Sequence, residues 1–242
     1  MGNPDLSIVM PCRNEESAVG LCVDDAMAFL RRRDLRGEVI VVDNGSTDGS
    51  AAVARAHGAR VVAEETPGYG LALRRGIAES RGRVIILGDS DTTYDFLHLD
   101  AMYDPLDRGE CDMMIGDRFA GGIEPGAMPW SHKVGVKALS AIGRGRFRSE
   151  VRDFHCGLRG LTREAAGKLN FRTEGMEFAT EMISLAEQAG LRIDQCPVKL
   201  RKCGQPRKSK LRTLPDGFRH LRYMMSVQRN PLDRTKEEKN HG

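Results

Sequence analysis

The sequence predicts an α/β fold, Rossmann-like, with a mostly parallel central sheet flanked by helices. Three observations carry this. The runs EVIVV (Glu38–Val42) and VIIL (Val84–Leu87) have the makeup of strands buried on both faces, as parallel strands are. Helical periodicity fills the gaps between such runs, so strands and helices alternate over residues 5–117, the pattern of right-handed crossovers in a parallel sheet. Polar segments rich in Gly, Ser, Asn and Asp follow three of the strands, at the sheet edge where open α/β folds bind ligands.

Taken in order, Leu6–Met10 is a short apolar strand ending at Pro11. From Glu16 to Arg33, apolar residues recur at helical spacing, at Val19, Cys22, Val23, Ala26 and Leu30. EVIVV is the second strand, and Ser46, Thr47 and Asp48 offer N-caps for a helix through His57. Arg60–Ala63 reads as a third strand, and Gly68–Ser80 as a helix after a glycine turn. VIIL is the fourth strand and runs into Gly88-Asp89-Ser90-Asp91. Asp95–Leu106 is helical and Met113–Ile115 a short strand. Beyond Arg118 the alternation loosens. Gly121-Gly122 through Pro129 reads as a loop, with helices over Lys133–Gly143, Arg163–Leu169 and Glu177–Ala189 and a strand over Arg192–Leu200. Pro215–Gln228 reads as a helix with Phe218, Leu221 and Met225 on one side and Arg219 and Arg222 on another. From Asn230 the chain has too few apolar residues to fold, and 230–242 is expected to be a disordered tail. A length of 242 residues fits one domain over 1–229, with halves at about 5–118 and 119–229.

Composition narrows the function. The longest stretch free of Asp, Glu, Lys and Arg is eight residues, far short of the roughly 20 apolar residues of a spanning helix. The N-terminus lacks a signal-peptide core, and the six cysteines form no CxxC pair. A cytoplasmic protein without a zinc site or disulfide framework is expected. Net charge is only +3, yet Lys199–Arg222 holds nine Lys/Arg against one acid, Asp216. Such a patch meets phosphates, on nucleotides or on an anionic lipid surface. Nucleic acid is not the expected partner, because no recognised module or aromatic platform accompanies the basic stripe. The helix at 215–228 has two readings, a membrane-surface amphipathic helix or a helix packed on the core. Gly68-Tyr69-Gly70 is not a P-loop, since no GxxxxGK[ST] follows. His57, His98, His132 and His155 show no metal-ligand spacing, although His155 lies near enough to Asp153 to touch a substrate.

The residues after the strands carry the chemistry. Pro11-Cys12-Arg13-Asn14-Glu15-Glu16 follows the first, DNGSTDGS (Asp43–Ser50) the second, and Asp89-Ser90-Asp91 the fourth. Two carboxylates one residue apart, on a loop leaving a buried strand, suit Mg²⁺ or Mn²⁺, which binds one or two carboxylates together with substrate phosphates.

IVMPCRNEE, VVDNGSTDGS and GDSD, in this order and spacing, resemble the family 2 glycosyltransferases of GT-A fold. GYGLALRRGIAESRG and SKLRTLPDGFRHLRYMM sharpen the likeness toward the polyprenyl-phosphate (dolichyl-phosphate type) mannosyl- and glucosyltransferases, over roughly residues 5–227. The resemblance implies a GT-A-like sheet with an acceptor-side C-terminal subregion, and inverting transfer of a hexose from a GDP- or UDP-sugar. It implies that Pro11, Asn14, Glu15, Asp43, Asn44 and Ser46 line the nucleotide pocket. Asp89 would sit near ribose and sugar, and Asp91, with Asp89, would hold Mg²⁺ or Mn²⁺. Arg118 would touch phosphate or sugar, and Ser209 and Lys210 would join an arginine, Arg201 or Arg207, at phosphate. Two departures stand out. Relatives often place Gln where this chain has Thr93, and often continue into a transmembrane region after the RHLRYM-like helix. The acceptor is therefore either a polyprenyl phosphate, met by peripheral membrane contact through 199–225 at the inner face of the cell membrane, or a small-molecule or carbohydrate acceptor. A phosphate acceptor is already a nucleophile, whereas a hydroxyl needs a base. For that base Asp153 is the first candidate, followed by Glu177 and Glu181, four apart on one helical face. Met128 and Trp130 lie in a loop that could cover the acceptor.

Overall fold

The computed structural model describes residues 3–203 and 213–227. At its centre is a seven-stranded sheet of order β3-β2-β1-β4-β6-β5-β7. The strands are β1 (Leu6–Cys12), β2 (Gly37–Asp43), β3 (Arg60–Ala63), β4 (Val84–Leu87), β5 (Met113–Asp117), β6 (Arg159–Thr162) and β7 (Ile193–Pro197). All neighbours pair in parallel except β6, which is antiparallel to β4 and β5. The helices are α1 (Val19–Arg32), α2 (Ser50–Ala56), α3 (Tyr69–Glu79), α4 (Asp100–Asp107), α5 (Arg118–Gly121), α6 (Trp130–Phe147), α7 (Arg163–Lys168), α8 (Phe178–Gln188) and α9 (Thr213–Ser226).

The apolar runs are buried because helices cover both faces of the sheet. On one face Ile8, Met10, Val39, Val41 and Ile86 pack with α1 residues Val19, Val23, Ala26 and Phe29. On the other, Val9, Ile40, Val42, Ile85 and Leu87 pack with Ala72, Leu73 and Ile77 of α3 and with Phe178, Met182 and Ile183 of α8. Each fully buried Val, Leu, Ile, Met or Phe side chain among these is worth roughly 1.5–3 kcal/mol. Gly76 lets α3 lie close on the sheet, since a Cβ there would run into the side chains of Val9 and Val42.

β1 pairs with β2 on one side and β4 on the other, so strand order reverses between β1 and β4. A crevice beyond the carboxyl ends of strands at such a reversal is the default ligand site of an open α/β sheet. The segments after β1, β2 and β4 all open onto it.

The structure departs from expectation in five places. β6 lies where no strand was expected, because its sequence RGLT is short and carries Arg159, a charged residue that is nonetheless buried. Carbonyls of Phe154, Cys156 and Ala179 accept from the Arg159 guanidinium, which is why it tolerates that position. Ser46, Thr47 and Asp48 do not cap α2 from the expected point: the helix starts at Ser50, and Asp48 Oδ1 accepts from Ser50 N at 3.0 Å. Asp95–Leu99 precedes α4 rather than belonging to it. The last strand stops at Pro197, with Leu200 bridging to Ile123. α6 begins at Trp130, so Met128 is buried in the preceding loop while Trp130 stands exposed as the first helical residue. Residues 230–242 and Arg207, Ser209 and Lys210 lie outside the described residues.

Candidate active site

The β1 and β2 loops are laced together. Asn14 adopts a left-handed backbone (φ 53°), which asparagine tolerates better than most residues. Its N–H donates to Ser46 Oγ at 3.1 Å, and its Oδ1 accepts from Thr47 N at 2.8 Å. Glu15 N donates to Ser50 Oγ at 2.8 Å, and Gly49 N to Glu16 Oε2 at 3.1 Å. Glu15, in the loop before α1, is buried. Asp43, the last residue of β2, accepts from Ser46 N at 3.0 Å. Asn44 is buried, and its amide is spent on a neighbouring loop: Nδ2 donates to the Glu64 and Thr66 carbonyls, and Oδ1 accepts from Gly68 N. Asn44 therefore shapes the pocket wall by holding 64–68.

The β4 loop brings the carboxylate pair beside them. Ser90 Oγ donates to Pro11 O at 2.9 Å, tying this loop to the end of β1. Asp89 Oδ1 accepts from Tyr69 OH at 3.1 Å, and Gly157 leaves room for the Asp89 carboxylate, which a Cβ there would meet at 2.5 Å. Burial, and then the Asp89 charge, raise the Tyr69 pKa well above its ordinary value, so the phenol stays a donor. Asp91 is buried, and its Oδ1 accepts from both the N–H and the hydroxyl of Thr93. Thr93 thus orients Asp91. Among the described residues no group of three or more His, Cys, Asp or Glu is placed to hold a metal. The donor set fits an ion held by Asp89 and Asp91 and completed by a diphosphate, rather than one caged by protein alone.

The segment 201–203 runs along the same loop. Arg201 N donates to Thr93 O at 2.9 Å and Cys203 Sγ to Asp91 O at 3.4 Å. The Arg201 guanidinium itself pairs with Asp95.

Arg118 and Asp153 form a buried bidentate pair. Arg118 Nε donates to Asp153 Oδ2 at 2.6 Å and Nη2 to Oδ1 at 2.8 Å. Asp153 also accepts from the backbone N–H groups of Arg118 and His155. It is fully buried and carries four hydrogen bonds, which fix the Arg118 guanidinium. On that ground we propose a positioning role for Asp153 in place of the expected base. Glu181 is similarly committed, accepting from Arg172 N, Thr173 N and Thr173 Oγ1. Glu177 lines a pocket with Gly68, Glu174, Arg219 and Arg222. Arg118 also lines a second pocket of about 360 Å³ with Phe119, Ile123, Trp130, Lys133, Val134 and Lys137.

Histidines adjoin this region. The rings of His155 and His220 meet edge to face at 4.4 Å. Burial first, then the neighbouring His220, Arg118 and Arg159, depress His155 well below its ordinary pKa, so it is neutral. Sequence reasoning missed Tyr69, Tyr94 and Arg159. Tyr94 OH accepts from Gly157 N at 2.8 Å, and Arg159 clamps the Phe154 and Cys156 carbonyls, so together they shape the loop that faces Asp89. Of these only Tyr69 carried a signal, the glycines on either side of it.

The chain is 37% identical over 225 residues to the low-salt glycan biosynthesis hexosyltransferase Agl6 of Haloferax volcanii, covering 92% of this chain and 53% of that protein. It thus spans about half the length of that relative. It is 31% identical over 198 residues to a dolichyl-phosphate hexose transferase of the same organism, covering 82% of this chain and 83% of that one. A crystal structure of glucosyl-3-phosphoglycerate synthase from Mycobacterium tuberculosis, in complex with Mn²⁺, UDP and glucosyl-3-phosphoglycerate, superposes with a TM-score of 0.69 at 26% identity, covering 92% of this chain and 78% of that one. The GT-A arrangement of the sheet is shared with such structures. The family model for glycosyl transferase family 2 matches residues 7–169, the stretch that holds all three strand-end loops, and the chain belongs to that family.

Proposed function

We propose that the protein transfers a hexose from a GDP- or UDP-sugar to a polyprenyl phosphate, with inversion at the anomeric carbon. The observation that carries it is the Asp89/Asp91 pair at the strand-order reversal, facing the interlaced loops 11–16 and 43–50. Pro11, Asn14, Glu15, Asp43 and Ser46 line the nucleotide side, with Asn44 holding the wall. Tyr69 and Thr93 fix Asp89 and Asp91 so that they hold the donor by its metal-bound diphosphate. Mg²⁺ or Mn²⁺, when bound there, supplies positive charge to the departing diphosphate. Arg118, held rigid by Asp153, presents its free edge to a phosphate or sugar on the acceptor side. Arg201 or Arg207, with Ser209 and Lys210, would complete the phosphate contacts.

The phosphate acceptor is favoured by what the carboxylates are doing. Two of the three candidates for a base, Asp153 and Glu181, are consumed by hydrogen bonds. A phosphate monoester arrives ionised and attacks without one. The relative named as a dolichyl-phosphate hexose transferase supports the same acceptor class. Reaching such an acceptor calls for peripheral membrane contact, for which 199–225 supplies basic charge. A second reading, a small soluble acceptor, is favoured by the likeness to the glucosyl-3-phosphoglycerate synthase.

The test is donor turnover with a panel of UDP- and GDP-sugars and Mg²⁺ or Mn²⁺, with and without a short-chain polyprenyl phosphate. Nucleotide release that needs the lipid phosphate is the expected outcome. Donor binding without lipid-dependent release favours the soluble acceptor, and neither binding nor release overturns the enzymatic proposal.

A further inference from the structure

Thr92, directly after Asp91, stands in the left-handed region with φ 66°. For a β-branched residue that conformation is an outlier, and such strain persists only where the surroundings over-determine it. The turn it makes has a consequence at the carboxylate. It brings both the N–H and the hydroxyl of Thr93 back onto Asp91 Oδ1. A relaxed Thr92 would carry Thr93 away from the group it orients.

Two thiols hold that turn, and they do so by the single peptide that links Asp91 to Thr92. A trans peptide points its C=O and its N–H in opposite directions. On one side, Thr92 N donates to Sγ of Cys22, a buried residue of α1, at 3.3 Å. On the other, the Asp91 carbonyl accepts from Cys203 Sγ at 3.4 Å and from Thr92 Oγ1 at 2.6 Å. Cys203 is half-buried, and its segment is tied to the same loop by Arg201 N, which donates to Thr93 O at 2.9 Å. A peptide turned to relax Thr92 leaves both sulfurs.

We propose that Cys22 and Cys203 are positioning residues for the metal. They clasp the Asp91–Thr92 peptide, keep Thr92 left-handed, and so keep the Asp91 carboxylate where Thr93 orients it. Thiols are poor ligands for Mg²⁺ and Mn²⁺, so both act through the backbone. The inference rests on Asp91 as a ligand of that ion.

Mn²⁺ binding in the presence of UDP or GDP, read as loss of the free-ion signal in electron paramagnetic resonance against nucleotide alone, tests it without turnover. Cys22→Val and Cys203→Ala each remove one sulfur contact, and each should weaken Mn²⁺ binding by about 2–12-fold, the equivalent of one ordinary hydrogen bond. In turnover the same shift should appear as a raised Mn²⁺ requirement, with a much smaller effect on the maximal rate. Glycine takes up the left-handed region without the penalty that threonine carries. In a Thr92→Gly background, therefore, neither cysteine substitution should weaken binding by more than about twofold. Asp91→Ala is the reference. If it binds Mn²⁺ as wild type does, the metal reading fails and the clasp fails with it. If Asp91→Ala loses Mn²⁺ while either folded cysteine variant binds it like wild type, the metal site stands and the clasp alone is overturned. An undiminished loss in the Thr92→Gly background overturns it as well, because the thiols would then act by packing and not through the turn. Cys203→Ala, at a half-buried position, decides the matter by itself should Cys22→Val not fold.

Discussion

Replacing Asp153 with asparagine separates a positioning role from a base. The substitution keeps the size of the side chain and removes the charge that Arg118 faces. The pair is desolvated, with Asp153 0% and Arg118 7% exposed and contacts of 2.6 and 2.8 Å. Removing one partner of a buried pair costs about 3–5 kcal/mol, because the other charge is left uncompensated. Asparagine keeps one acceptor, which places the cost near the lower end, about 3 kcal/mol. In a domain of this length each kcal/mol moves the melting temperature by roughly 2–4 °C, so a fall of about 6–12 °C is expected. The double variant Arg118→Met/Asp153→Leu should recover most of it, since apolar replacement of both charges is often neutral or stabilising. Scanning calorimetry reads the stability, and nucleotide release reads turnover. Turnover should fall in both variants, because both lose an oriented guanidinium. Loss of turnover in Asp153→Asn at an unchanged melting temperature would refute the positioning role and restore Asp153 as the base.

Three further outcomes follow from the same geometry. Asp91→Ala should abolish turnover and weaken donor binding measured calorimetrically in Mn²⁺, and undiminished activity would remove Asp91 from the metal site. Thr93→Val deletes the hydroxyl that orients Asp91 and should raise the Mn²⁺ concentration for half-maximal turnover by about 10–100-fold, with the fold intact by circular dichroism; an unchanged metal dependence would mean Asp91 needs no such support. His220 is held at a pKa of about 4, below its ordinary 6.5, by burial and then by the Arg159 charge. Its neutral form is the one the fold accepts, so its contribution is complete above pH 6.5 and is lost as pH falls toward 4, by an amount on the order of 3 kcal/mol. His220→Gln should therefore flatten the melting-temperature profile over that window, and parallel profiles for the two proteins would show that His220 is not what acid attacks.

Most of the fold was legible because its strands announce themselves by burial. LSIVMPC, EVIVV and VIIL are apolar almost without interruption, and only a sheet covered on both faces asks for that. β6 was not legible, for the same physical reason turned around. It owes its place to pairing on both sides, antiparallel to β4 and β5, and its Arg159 is paid for by three carbonyls from residues 154, 156 and 179. None of those partners can be located without the fold, and a charged residue in a four-residue segment reads as a loop.

The site divides along the same line. Asp89 and Asp91 follow a buried strand, and local sequence alone puts them at the carboxyl edge, which is where they are. Asp153 is the first candidate for a base because, in DFHCGLRG, it matches the family's acid before the acceptor-side glycine. Its partner in the fold is Arg118, 35 residues away, whose guanidinium reaches it only after β5 and the 153–157 loop come together, and no local pattern announces that pairing. Asn44 shows the same contrast: it sits in a motif rich in polar residues, yet its amide is spent on Glu64, Thr66 and Gly68. A polar residue in a strand-end loop is thus read correctly as part of the site's neighbourhood, but whether it meets substrate or holds a wall depends on which buried donors and acceptors are left over. Here Asp153 and Glu181 are committed to buried donors, while Glu177 keeps one buried carboxylate oxygen without a hydrogen-bond partner, so of the three carboxylates only Glu177 is left to serve a hydroxyl acceptor, and the phosphate acceptor we propose needs none of them.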